Sequence, residues 1–170
     1  MLNWLNRKKA NPEIVGRWRD AVTAAARAPE PYLRQWVPDT LYGRFNMVSL
    51  VATLAMRRLR SIGSEGEQIS KGLSERLFSD FDHSLREHGV GDSSIARRIR
   101  KMGEEFFGLA KAVDAALEQG GAEKTLAVVL QKNIQPDAEK AGELAAYVIE
   151  LNETVERLSD DQVRAGPESL

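Results

Sequence analysis

The chain has no cysteine in 170 residues. That excludes a disulfide scaffold, a thiolate-held metal and a cysteine nucleophile. Histidine is nearly as scarce, with two copies, which argues against a structural zinc site and leaves little for a Ser/His/Asp arrangement. Long apolar runs are missing as well. The longest, Met47 to Met56, is interrupted by Ser49 and Thr53 and is about half the ~20 residues a spanning helix needs. The first nine residues, from Met1 through Trp4 to Arg7, Lys8 and Lys9, lack the apolar core of a signal peptide and are too short for a transit peptide. A large excess of charge of either sign is also absent. The net charge is −1, so bulk attraction to a polyanion is not expected.

What is present is an ordinary soluble balance, 42% hydrophobic and 29% charged residues, long enough to bury a core without staples. The charge is unevenly spread. Residues 1–60 carry +7, residues 61–118 carry −3 and residues 119–170 carry −5. A basic N-terminal third on an acidic remainder suits a face for anionic headgroups, RNA or an acidic partner.

Helical periodicity dominates and strand alternation is scarce. Asn11-Pro12-Glu13 reads as a capped helix start, followed by Ile14, Trp18, Val22 and Ala25 until Pro29 and Pro31. Tyr32 to Val37 reads as about one turn, stopped by Pro38. With Asp39 as its cap, a helix over 40–61 carries Leu41, Phe45, Val48, Ala52, Ala55 and Leu59 on one side, and Met47, Leu50, Val51 and Leu54 around it. Apolar on most of its circumference, it is expected to be the central helix.

Gly63 to Gly66 reads as a loop, then a helix over 67–88 with Ile69, Leu73, Leu77, Phe81 and Leu85 at four-residue steps. Gly89 fits a left-handed C-terminal position, and Asp92 or Ser93 an N-cap. Helices over 93–118, 122–133 and 137–158 complete the pattern. The expectation is an all-α fold: one helical bundle domain over 11–158 with five or six main helices, a flexible amphipathic N-terminus at 1–10 and a disordered polar tail at 159–170.

Three constellations bear on chemistry. Asp80, Asp82, His83, Glu87 and His88 lie close together in sequence and invite a metal reading, but His83 and His88 are not on one helical face. The core-facing Phe78, Phe81 and Leu85 leave the acids outside, so no metal is expected. Gly89-Val90-Gly91 lacks the strand and the further glycines of a phosphate loop, and a helix–helix turn accounts for it. Ser93, Ser94, Arg97, Arg98 and Lys101 could enter a major groove as part of a helix-turn-helix, which makes a nucleic-acid module using residues 93–101 the alternative function. No nucleophile–base pair is present, which points away from catalysis. Leu2, Trp4 and Leu5 followed by Arg7, Lys8 and Lys9 combine apolar anchors with cations, as an interfacial segment does.

Two stretches resemble the ubiquinol–cytochrome c chaperone family, assembly factors of the cytochrome bc1 complex. One is Pro38-Asp39-Thr40-Leu41-Tyr42-Gly43-Arg44-Phe45, leading into the arginine-ended helix Leu54 to Arg60. The other runs from Phe78-Ser79-Asp80-Phe81-Asp82-His83-Ser84-Leu85-Arg86-Glu87-His88 into Gly89-Val90-Gly91-Asp92. It continues through Arg97-Arg98-Ile99-Arg100-Lys101-Met102 to Glu105-Phe106-Phe107-Gly108. The resemblance covers roughly residues 35–118 and implies a non-enzymatic chaperone without cofactor, whose client is newly made cytochrome b. It further implies a compact bacterial form at the cytoplasmic face of the inner membrane, with no nucleic-acid partner. On the matching motifs, the client-facing surface is expected around Arg44, Asp82, Arg86, Gly91, Asp92, Arg97 and Arg98. Trp4, Arg7, Lys8 and Lys9 are expected to meet the membrane surface.

Overall fold

Prolines, glycines and small polar caps set the helix boundaries. A computed structural model describes residues 10–89, 91–119, 122–135 and 137–170. Among these residues the elements are α1 (Pro12–Ala26), α2 (Glu30–Leu33), α3 (Leu41–Arg60), α4 (Ser64–Glu87), α5 (Asp92–Leu117), α6 (Ala122–Asn133), α7 (Ala138–Glu156) and α8 (Asp160–Ala165). Six are long and two are single turns, and there are no strands. The all-α expectation therefore holds.

Local chemistry explains most termini. Asn11 Oδ1 accepts the Glu13 amide at 2.9 Å and Pro12 fills the first turn of α1, where its missing N–H costs nothing. Gly89 takes φ +74° after α4, the left-handed position expected of it. Four expected starts are corrected. The single turn expected over Tyr32 to Val37 forms earlier, as α2 at Glu30–Leu33. Thr40, not Asp39, caps α3, accepting the Gly43 amide at 3.1 Å, while Asp39 instead pairs with Arg44 at 2.7 Å. Gly91 is the N-cap of α5, without a side-chain cap, so Asp92 is its first helical residue. The stretch Gly63 to Gly66 is not a loop throughout, because α4 begins at Ser64.

α3 is the central helix. Fourteen of its residues are buried, including Phe45, Met47, Leu50, Val51, Leu54 and Leu59. Each large side chain of this kind contributes about 1.5–3 kcal/mol on burial. α1, α4, α5 and α7 pack around it. Ser49 and Thr53 survive inside because each hydroxyl donates to the carbonyl four residues earlier, at 2.8 Å. Where α3 turns into α4 the backbones nearly touch: a Cβ on Gly66 would lie 1.8 Å from the Leu59 carbonyl oxygen, so only glycine fits.

The tail departs from expectation. Residues 159–170 are not a disordered extension, since 160–165 form α8, opened by a capping box between Ser159 and Gln162. Val163 is fully buried. Arg58, itself buried, donates to the Leu158 carbonyl and to Asp160 Oδ1, both at 2.7 Å.

Candidate functional site

Aromatic side chains on three helices make a ladder from the core toward the surface. Phe45 of α3 meets Phe81 of α4 edge-on at 5.0 Å, and Phe81 meets Phe78 at 5.5 Å. Phe78 then reaches Phe106 at 5.4 Å and Phe107 at 6.2 Å, both on α5. The first three contacts are edge-to-face and the last, between Phe78 and Phe107, is stacked; both geometries fix rings more firmly than burial alone.

Beside the inner end of this ladder lies a groove of about 210 Å³ between α1, α2, α3, α4 and α5. Its floor is apolar, made by Ala26, Phe45, Val48, Leu77, Phe81, Leu85 and Met102. Its rim is charged: Arg19, Arg27, Arg44 and Asp80. The combination of an apolar cleft and a few convergent polar groups is the usual form of a binding site.

The rim is fixed by specific contacts. Arg19 Nε donates to Asp80 Oδ2 at 2.6 Å across α1 and α4, and Nη1 to Asp20 at 2.8 Å. The Asp80 bond, then that to Asp20, holds the Arg19 guanidinium still more firmly protonated than usual. Arg44 lies over the Tyr32 ring at 5.2 Å, a cation–π contact. Tyr32 in turn donates to the Ala26 carbonyl at 2.7 Å, and burial raises its phenol pKa. Arg27 makes no ion pair among the described residues. A second, wider depression of about 750 Å³ between α1 and α4 carries charges of both signs, among them Asp20, Glu67, Lys71, Glu75 and Arg76.

The expected site residues divide between this groove and its surroundings. Arg44 lines it directly. Asp82 and Arg86 sit on α4 but do not line the groove: at about 100° per residue they lie about 130° and 170° round the helix from the middle of its lining residues Leu77, Asp80, Phe81, Ser84 and Leu85. Arg86 Nε donates to Asp82 Oδ2 at 2.7 Å. That bond lowers the Asp82 carboxyl pKa below its usual value. Gly91 is exposed at the turn into α5, and Asp92 opens that helix. Arg98 lies one turn before the lining residue Met102, whereas Arg97 is on the outer side of α5. Trp4, Arg7, Lys8 and Lys9 fall outside the described residues.

The acidic and histidine cluster is dispersed rather than gathered. Asp80 is not on a solvated face, being engaged with Arg19 and, at 3.8 Å, with Arg76. His83 pairs with Glu87 at 3.3 Å, and His88 Nδ1 contacts the Ser84 carbonyl oxygen at 2.8 Å. No three such groups converge among the described residues, nor is any helix there long and apolar enough to cross a membrane. Sequence reasoning missed Arg19, Arg27 and Tyr32 as rim residues. Their signal was faint: two arginines and a tyrosine on segments that the chain separates from α4 by tens of residues.

The chain is similar to known proteins in ways that bear on this groove. The family model described as Ubiquinol-cytochrome C chaperone matches residues 34–169, well beyond the stretch where the motifs are recognisable. The crystal structure of the Cbp3 homolog from Brucella abortus superposes with a TM-score of 0.82 at 35% identity, covering 99% of this chain and 96% of that one. No curated protein matches the chain.

Proposed function

Since the chain belongs to the ubiquinol-cytochrome C chaperone family, we propose that it is a non-catalytic assembly factor that binds newly made cytochrome b. We further infer that it works at the cytoplasmic side of the inner membrane, as a peripheral protein, and holds its client in the groove between α1 and α5. The observation that carries the client surface is the meeting of an apolar floor with the Arg44 and Asp80 rim, on the two segments that bear the family motifs. A membrane protein awaiting its partners presents apolar side chains and charged loop ends together, and this groove offers a complement to both.

Asp82, Arg86, Gly91, Asp92 and Arg98 extend that surface from the groove toward the α4–α5 turn, and Arg97 borders it. The absence of an activated nucleophile or base among the residues described fits shielding rather than turnover. The nucleic-acid alternative on residues 93–101 finds less support, because α5 is a 26-residue helix packed along its length and not the short second helix of a groove-reading pair.

The test is a deletion strain together with capture from detergent-solubilised membranes. Cytochrome b should co-purify with the tagged protein, and haem b absorbance should fall in the deletion strain at unchanged transcript levels. Normal haem b spectra in that strain would overturn the reading.

A further inference from the structure

The outer face of α5 carries a set of side chains that the bundle does not use. Phe107 is 58% exposed although it is a large hydrophobic residue, and one face of its ring stacks on Phe78 at 22°. Arg97, Arg98, Arg100 and Lys111 make no ion pair or hydrogen bond among the described residues. At about 100° per residue, Arg100, Phe107 and Lys111 fall within about 40° of one another on the helix, with Arg97 about 40° further round. Glu104 and Glu118 are the opposing charges along this strip, and Glu118 turns toward Arg57 at 3.6 Å. Lys101 and Glu105, at 3.7 Å, satisfy each other, and Glu105 also accepts from the Tyr42 hydroxyl.

An exposed aromatic ring flanked by unpaired cations is the pattern of a segment that lies on an anionic bilayer. The ring enters the headgroup boundary and the cations meet lipid phosphates, each cation worth about fivefold in affinity. We propose that this strip of α5, Arg97, Arg100, Phe107 and Lys111, is the surface by which the protein rests on anionic lipid. The inference deepens the peripheral location proposed above and rests on it.

The geometry makes the contact compatible with client binding. Met102, which lines the groove, is about 140° from Phe107 around α5. The groove therefore opens to the side of the lipid-facing strip and stays free when the strip is occupied. The favourable charge is local, on a chain of net −1, so the attraction must be short-ranged and screened by salt.

Co-sedimentation of the full chain with vesicles tests this. Binding is expected to vesicles of mixed zwitterionic and anionic phospholipid at low salt, with loss on raising salt and little binding to purely zwitterionic vesicles. Arg100→Gln with Lys111→Gln should weaken binding roughly thirtyfold. Phe107→Ala should weaken it about tenfold, and Phe107→Trp should restore it. Unchanged far-UV circular dichroism in each variant shows that the fold is kept, as exposed positions allow.

Wild-type affinity in these variants, with loss on replacing Trp4, Arg7, Lys8 and Lys9 instead, would overturn the α5 assignment and leave the membrane reading standing. No binding of the wild type to anionic vesicles would overturn both. Tighter binding to single-stranded RNA than to vesicles at equal salt, abolished by the same substitutions, would replace lipid with nucleic acid as the ligand of this face.

Discussion

The indole Nε1 of Trp18 donates to the backbone carbonyl of Val163 at 3.0 Å, joining the first helix to the last across 145 residues of sequence. Both side chains are fully buried. Trp18→Phe keeps much of the apolar contact and leaves the Val163 carbonyl without its donor. The expected cost is about 1–3 kcal/mol, read as a lower urea midpoint at unchanged m-value.

Arg58 is the other clasp on the tail, and its removal should free that segment. Arg58→Met leaves the Leu158 carbonyl without its guanidinium donor and should destabilise by about 1–3 kcal/mol. Limited proteolysis should then cut near 158–165 first. The bond from Arg58 holds the Asp160 carboxyl below its usual pKa. For a carboxylate lowered on folding, the stabilisation is present above the unfolded value and lost as pH falls through the folded one. Carboxyl NMR titration should show Asp160 returning toward 3.8 in the variant.

Gly166 follows α8 at φ +79°, and a Cβ there would meet Arg17 Cβ at 2.8 Å and the Ile14 carbonyl oxygen at 3.2 Å. Gly166→Ala should cost about 1–3 kcal/mol through backbone strain and crowding. Gly16→Ala, where nothing lies within 4 Å, should be neutral or stabilising by up to about 1 kcal/mol. Paired melts of the two variants check this contrast.

Tyr42 donates to Glu105 at 2.6 Å, and partial burial together with that bond pushes its phenol up to about 12. An acid whose pKa rises on folding contributes stability below its unfolded value, near 10, and loses it as pH climbs toward 12. In an ultraviolet titration Tyr42 should remain neutral after an ordinary phenol has ionised. Glu105→Gln should bring it only part of the way back, since desolvation is the larger cause.

Filling the groove tests its role without touching charge. Val48→Phe adds volume on the floor, and should lower cytochrome b recovery at least tenfold in a capture experiment while costing about 1–3 kcal/mol of stability. Arg44→Gln removes the rim charge without setting a carboxylate beside Asp39, and should reduce recovery while costing about 1 kcal/mol through the lost Asp39 pair and Tyr32 contact. Wild-type recovery in both would remove the groove from the client surface.

The central helix was legible because its apolar residues wrap its whole circumference, a pattern with one physical outcome. Helix ends were legible at Pro12 and Gly89, but not everywhere a proline or glycine stood: Pro31 lies within α2, Gly66 within α4, and Gly91 itself caps α5. The tail was not: one buried valine in a polar dozen has no periodicity, and its burial depends on Trp18, which donates to the Val163 carbonyl, and on Arg58, which fastens the Leu158 to Asp160 segment before it, both far away in sequence. Ser159-x-x-Gln162, a capping box, was the signal available for α8. The motif stretches reach the groove through Arg44, Asp80, Phe81 and Met102, which line it, whereas Asp82 and Arg86 lie on another face of α4. The groove itself arises where five helices converge, and Arg19 joins its rim only through Asp80, 61 residues away.

α3 touches both ends of the functional problem. Phe45 and Val48, near its start, floor the groove. At its other end Arg57 reaches Asp114, Glu118 and Glu156 on or beside α5 and α7, and Arg58 holds the segment leading into α8. A close-packed interior transmits displacement rather than absorbing it. One rigid element thus serves both places: packing at the groove floor and the fastening of the tail lie on the same helix, so a change at either end is felt along α3.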